Sequence, residues 1–240
     1  MITLQEIFDD LAAGPLANLS LVDSTTQSIK EKDYTKVLSY INRALTELHK
    51  RFLLRTGQVV VQLHPDVIHY ALRSKFAESN TSSTEPIKYI MDTSDRPFED
   101  DIIKIEQVFS ELGEEYPIND SSQNYPVYTP EFDVISLLPI GDIPQAVVVV
   151  YRAKYPKIIP TVTAFNPETV ELNIPDWIIE ALYSRVAASA HKGISGEEGE
   201  MSASRSYMFQ YELDCKKIEN EGTVTNDNDP FNTFGEKGWV

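Results

Sequence analysis

The chain has a single cysteine, Cys215, and so has no intrachain disulfide to hold its fold. Histidine is almost as scarce. His49, His64, His69 and His191 are scattered, and His64 and His69 stand five apart around Pro65, off the spacing of a helical zinc pair. No run approaches the ~20 uninterrupted apolar residues of a bilayer span, so a membrane is not an expected partner. Basic residues are also short: 21 Lys and Arg against 37 Asp and Glu leave a formal charge of -16. A field of that sign disfavours wrapping around a phosphate backbone. It suits plain solubility, or a surface that lies near DNA without sticking to it. The start, MITLQEIFDDLAAG, is acidic where a secretory or transit peptide is basic. The expectation is a protein of the cytoplasm or of something assembled there.

The signatures of common chemistry are missing too. GxGxxG, GxxxxGKS/T and GxSxG do not occur, and the glycines of GISGEEGE follow a helix with carboxylates where a phosphate would sit. Adjacent acids at Asp9/Asp10, Asp100/Asp101, Glu114/Glu115 and Glu197/Glu198 read as solvated turns. A glycosidase pair or a two-metal site would look the same in sequence, which leaves a carboxylate-dependent hydrolase as the alternative from another class. Cys215 and His191 as nucleophile and base yield to a simpler reading, a small thiol buried on an apolar helical stripe. The twelve tyrosines, ten phenylalanines and two tryptophans are not interleaved with basic residues, so they suit cores and interfaces. No catalytic residue, metal site or cofactor is expected.

What is present is a change of period along the chain. TLQEIFDDLAA, from Thr3, has Leu4, Ile7, Phe8 and Leu11 on one face, with Thr3 and Glu6 spaced as a capping box. DYTKVLSYINRALTELHKRFLLRTG carries Val37, Ile41, Ala44, Leu45, Leu48 and Phe52 in one stripe; Asp33 or Thr35 caps it and Gly57 marks its end. From Gly57 short β-branched runs take over: QVVVQL, IKYIMD, the start of DDIIKIEQVFSELGEE with Ile103, Ile105 and Phe109 on one parity, EFDVISLL, QAVVVVYRAKY and TVELNI. Residues 116–130 read as an exposed polar loop.

The helix in NIPDWIIEALYSRVAASAHKG begins at Asn173 or Asp176, with Pro175 in its first turn and Gly193 and Gly196 at its close. Ile178, Leu182, Arg185 or Val186, and Ser189 form its stripe, with Trp177, Ala181 and Ala188 beside it. The last helix, 201–221, aligns Met208, Tyr211, Cys215 and Ile218, with Glu212 and Lys216 as an i,i+4 pair. The expected class is α+β: a helical bundle formed by the N- and C-terminal helices, an inserted β-rich domain and an extended C-terminal arm. The boundaries read as 1–57, 58–173, 174–222 and 223–240. Trp177, Leu182, Ala187, Ala190, Tyr211 and Cys215 are the expected bundle-packing residues.

Several of these stretches together resemble the head–tail connector, or adaptor, family of short-tailed bacteriophages, which includes the tubular tail protein that docks beneath the portal. VLSYINRALTELHKRF followed by VVVQL looks like the family's first long helix and strand. VVVVYRAKYPKI is similar to the strand and basic turn before the return to the bundle. LNIPDWIIEALYSRVAASAHKG is the most specific stretch, SYMFQYELDCKKIENEG resembles its partner helix, and FNTFGEKGWV resembles the terminal segment. The resemblance covers 35–65 and 146–240 and leaves 66–145 unmatched.

It implies a structural virion protein of the tail neck, assembled in the host cytoplasm and not an enzyme. As a homo-oligomeric ring of twelve copies it would join the portal protein to the tail nozzle protein. DNA would pass through the channel at ejection without specific binding. Ala187, Ala188 and Ala190 would allow close helix packing. Phe231, Phe234 and Trp239 would dock an arm on the portal or a neighbour, and the β-rich middle would meet the nozzle. A head- or tail-completion protein of another type, or a soluble adaptor in a cellular complex, is the alternative.

Overall fold

The computed structural model describes residues 2–122, 126–137, 146–160, 165–194 and 198–221. Among these the fold is α+β, with helices toward both ends of the chain, a β-rich middle, and strands in three antiparallel sheets. The chain divides into two compact units. The described part of the first lies within 2–52 and 157–221, and that of the second within 53–156. The stretch after 156, read from sequence as the end of the β-rich middle, therefore folds with the helices.

In the helical unit a two-residue strand β1 (Ile2–Thr3) leads into α1 (Leu4–Ala13). The capping box is formed: the Thr3 hydroxyl accepts from the Glu6 amide, and the Glu6 carboxylate accepts from the Thr3 amide at 2.7 Å. Leu4, Ile7, Phe8 and Leu11 are buried. Helix α2 (Tyr34–Arg51) follows a single 3-10 turn, Glu31–Asp33. It stops at Arg51, where Phe52 turns extended, so Gly57 does not end it. Asp33 stands at its cap position without a side-chain cap bond.

The chain returns to this unit along α2, where the Asn42 side-chain amide brackets Ile158, donating to its carbonyl and accepting from its amide, both at 2.9 Å. Strand β9 (Glu171–Leu172) then pairs antiparallel with β1. After Pro175 and one 3-10 turn come α3 (Ile179–Ile194) and α4 (Glu198–Asn220).

The β unit holds β2 (Thr56–Gln62), β3 (His69–Ala71), β4 (Ile90–Met91), β5 (Ile102–Ser110), β6 (Tyr128–Glu131), β7 (Val134–Ser136) and β8 (Ala146–Ala153). One sheet runs β4-β2-β8-β5 and the other β3-β7-β6. Val59, Val61, Ile105, Val108, Val147 and Val149 of the first sheet share one core with Tyr70 and Ile135 of the second. Along β8 the alternation holds, with Val147, Val149 and Tyr151 inward. Along β5 it does not. Register shifts after Ile102 and after Ile105 bury Ile102, Ile105 and Val108, replacing the parity of Ile103, Ile105 and Phe109 read from sequence. Part of the 116–130 loop is ordered by pairing of Ile118 with Val127 and by β6.

Candidate functional site

Helices α3 and α4 pack through small residues. Ala181, Ala187 and Ala190 are fully buried, and the Ser204 hydroxyl on α4 donates to the Ala188 carbonyl of α3 at 2.8 Å. That bond requires the two backbones to lie close, which alanine permits. Gly193 lies in the last turn of α3, where a Cβ would meet the Tyr40 hydroxyl of α2. Leu182 and Cys215 are fully buried and Tyr211 nearly so, while Trp177 is half-buried with its ring edge-on to Phe52.

Ion pairs and polar clamps tie these helices together. Arg185 of α3 holds Glu47 of α2 with two bonds, at 2.5 and 2.8 Å, and this keeps the Glu47 carboxyl below its ordinary pKa. Arg51 of α2 reaches Glu212 at 2.8 Å and Glu219 at 2.7 Å on α4. The expected Glu212–Lys216 pair gives way to that contact. Ser184 donates to Asp214, and Tyr183 donates to Asp10 on α1 at 2.7 Å.

The imagined pair of Cys215 and His191 is not assembled. Burial pushes the Cys215 thiol up to about 11, far from a thiolate nucleophile at neutral pH. His191 Nε2 lies 3.0 Å from the Pro15 carbonyl, and its ring stacks on Tyr207.

The outer side of α4 is the unusual feature of this unit. Tyr211, Cys215 and Ile218 face inward, but Met201, Met208, Phe209 and Leu213 are exposed, Phe209 by 67%. Met208, read from sequence as part of the inner stripe, falls at its edge. An ordinary surface helix has one apolar stripe; this one has apolar residues on two sides. Met201, Arg205, Phe209 and Leu213 follow one another at four-residue intervals and form a single outward ridge, with Lys216 exposed at its far end. Which side would stay uncovered depends on where α2 and α3 pack.

In the β unit, Arg55, Asp101 and Tyr151 form a corner beside a groove of about 710 Å³. Tyr151 donates to Asp101 at 2.9 Å, Arg55 pairs with the other Asp101 oxygen at 3.2 Å, and Arg55 also donates to the Lys154 carbonyl. Burial, and then the neighbouring Asp101, raise the Tyr151 phenol well above its ordinary pKa, so it stays a donor. The ring lies directly across Gly57, its partner on β2.

A second hollow of about 370 Å³ is lined by Arg73, Lys75, Asp100, Phe132, Asp133 and Lys154. Arg73 is spent on Asp133 and Lys75 on Glu85. Asp100 receives both the amide and the hydroxyl of Ser74.

Two of the acidic doublets thus serve local structure: Asp10 receives Tyr183, Asp9 receives Gln5, and Asp100 and Asp101 are bound as above. In a third, Glu115 accepts from the Gln107 side chain. His69 is bonded to Ser136, and Tyr70 donates to the His64 carbonyl. Among the described residues no group of three or more His, Cys, Asp or Glu is placed to hold a metal, and no helix is long and apolar enough to cross a membrane. Glu197 and the arm residues Phe231, Phe234 and Trp239 lie outside the described residues. No protein-family model matches the chain, and no curated protein sequence matches it.

Proposed function

We propose that this chain is a structural assembly subunit of the head–tail connector type, working as a homo-oligomer rather than as an enzyme. The observation that carries the reading is α4, which uses one apolar side to close its own unit and leaves Met201, Phe209 and Leu213 in solvent on the other. A soluble chain that keeps such a ridge exposed is built to cover it with another protein surface. Two further features fit. The helical unit is made from both ends of the described chain, so the β unit is an insertion in sequence with a core of its own. The net charge of -16 suits a channel wall past which DNA must slide.

In this reading copies associate into a ring of twelve between a portal protein and a tail nozzle protein. The segment bearing Phe231, Phe234 and Trp239 docks on the portal or on a neighbouring copy. The carboxylate-dependent hydrolase has less to support it, since the carboxylates of Asp9/Asp10 and Asp100/Asp101 are engaged as hydrogen-bond acceptors.

Multi-angle light scattering of the 27.1 kDa chain, alone and mixed with a portal complex, tests the proposal. The expected result is uptake of a fixed high multiple of the chain by the portal. Loss of that uptake on truncation before Phe231 would assign the arm. A chain that never associates with a portal would remove the connector reading.

A further inference from the structure

We infer that the outer ridge of α4 is self-complementary, and that two copies of this chain pair through it as an antiparallel, two-fold contact. The argument starts from the order of residues along the ridge: Met201, Arg205, Phe209, Leu213, then Lys216. Laid against a second copy running the same way, the ridge would set Arg205 near Arg205 and Lys216 near Lys216, which like charges oppose. Reversed about the level of Tyr207, it sets Met201 beside Leu213 and Arg205 over Phe209, and the two-fold axis repeats each contact. The first pairing is apolar on apolar. The second puts a guanidinium against an aromatic face, a favoured arrangement.

The four ridge residues can take part without leaving existing partners. Each is exposed, and Arg205 has only a weak contact to its own Met201 at 3.9 Å. Neighbouring Glu212 and Glu219, already held by Arg51, are not needed. The row follows the four-residue ridges by which helices interdigitate.

The size of the contact sets its strength. Twenty-three helical residues at 1.5 Å each give a face about 35 Å long. One helix face on another buries less than the ~1,200 Å² of a standard stable interface. The pair is therefore a dissociable one, with a dissociation constant in the micromolar range or weaker.

An isologous contact closes at two copies, whereas a ring between unlike partners needs a head-to-tail contact. The pair thus occupies α4 and cannot propagate. Under the connector reading it is the waiting form of the subunit, and it must open before the chain joins a ring. That role rests on the proposed function; the pairing itself does not.

The test is cysteine cross-linking of the full chain without any portal. Met201→Cys and Leu213→Cys introduced together should give an interchain disulfide under mild oxidation, while either alone should give little. Wild-type mass by light scattering should rise from one chain toward two as concentration passes through the micromolar range. Phe209→Asp should hold the mass at one chain with an unchanged circular-dichroism spectrum, because Phe209 is solvent-exposed in the single chain.

Overturning results are a wild-type mass that stays at one chain up to about millimolar concentration, growth beyond two copies, or cross-linking no better in the pair than in the single variants. A cross-linked dimer that never engages a portal would leave this inference standing and sink the connector reading. Portal uptake by a chain that never dimerises would do the reverse.

Discussion

Replacing Gly57 by alanine tests whether the β unit is held by the ring that lies across that glycine. Gly57 is the direct cross-strand partner of Tyr151 in the β2–β8 pairing. A Cβ built on Gly57 would stand 2.3 Å from the Tyr151 ring, closer than any real contact. The ring cannot swing aside freely, since its hydroxyl donates to Asp101 and its edge packs on Phe98 at a centroid distance of 6.1 Å. Relief must come from moving the ring, and that stretches or breaks the bond to Asp101. Overpacking of this kind costs about 1–3 kcal/mol, and the weakened hydrogen bond adds roughly 1 kcal/mol. Alanine in a strand recovers about 0.5–1 kcal/mol of backbone entropy. The balance is a loss of roughly 1–3 kcal/mol, because the steric and polar terms exceed the entropic gain.

For a chain of this size each kcal/mol lowers the melting midpoint by about 2–4 °C. Calorimetry is the assay, since two compact units can melt separately and only the β-unit transition should move. The control is the same substitution on Tyr151→Leu, which removes the ring. There the alanine should cost nothing or stabilise slightly, giving a coupling energy of about 1 kcal/mol or more across the pair. A Gly57→Ala protein that melts at or above the wild-type temperature refutes the reasoning. So does an equal loss in both backgrounds, which would place the strain in the backbone instead of the ring.

Other expectations follow from the same geometry. Cys215 is buried and its thiol is pushed up to about 11, so a thiol reagent at pH 8 should label it only in denaturant, and prompt labelling of native protein would contradict the packing of α4. Arg51→Ala should lower the midpoint of the helical unit by a few degrees, since it releases Glu212 and Glu219; these are partly exposed, so the loss is only about 1 kcal/mol and should shrink in high salt. In acid, the Glu47 carboxyl is held below its ordinary range by Arg185, and for Asp92 the bonds from Ser79 and Phe98 outweigh the upward push of burial. Their contribution is complete above about pH 4.5 and is lost as pH falls through the lowered values. At the other end, burial raises the phenols of Tyr151, Tyr183 and Tyr211, so their contribution is complete below about pH 10 and is lost as pH rises toward the raised values. A plateau of melting temperature between roughly pH 5 and 9.5 with a fall on both sides is expected, and a rise below pH 4 would contradict it.

The parts of this fold that sequence conveyed are those whose cause is local. Thr3 and Glu6 form their capping box within one turn, and the inward row of β8 follows from strict alternation. Where the cause is distant, local pattern misleads. Gly57 has the form of a helix terminator after a basic turn, yet its reason is a tyrosine on another strand. Gly193 does stand at the end of α3, but the pattern does not show that a Cβ there would also meet Tyr40. The two bulges of β5 change which residues face inward without any glycine or proline to announce them. The boundary read at 173 places residues after 156 with the β-rich middle, yet the described ones belong with the helices because Asn42 and β1 take up their backbone groups.

The ridge on α4 is an intermediate case, and this matters for function. Its apolar residues were legible one by one, but their exposure was not, since a helix with two apolar sides has no way of declaring which one its own unit will cover. Burial of Tyr211, Cys215 and Ile218 against the rest of the unit decides it, and Phe209 and Leu213 are left outside. Arg51, reaching Glu212 and Glu219, adds a smaller polar tie between α2 and α4. The surface available to a second copy is therefore set by the packing within the first.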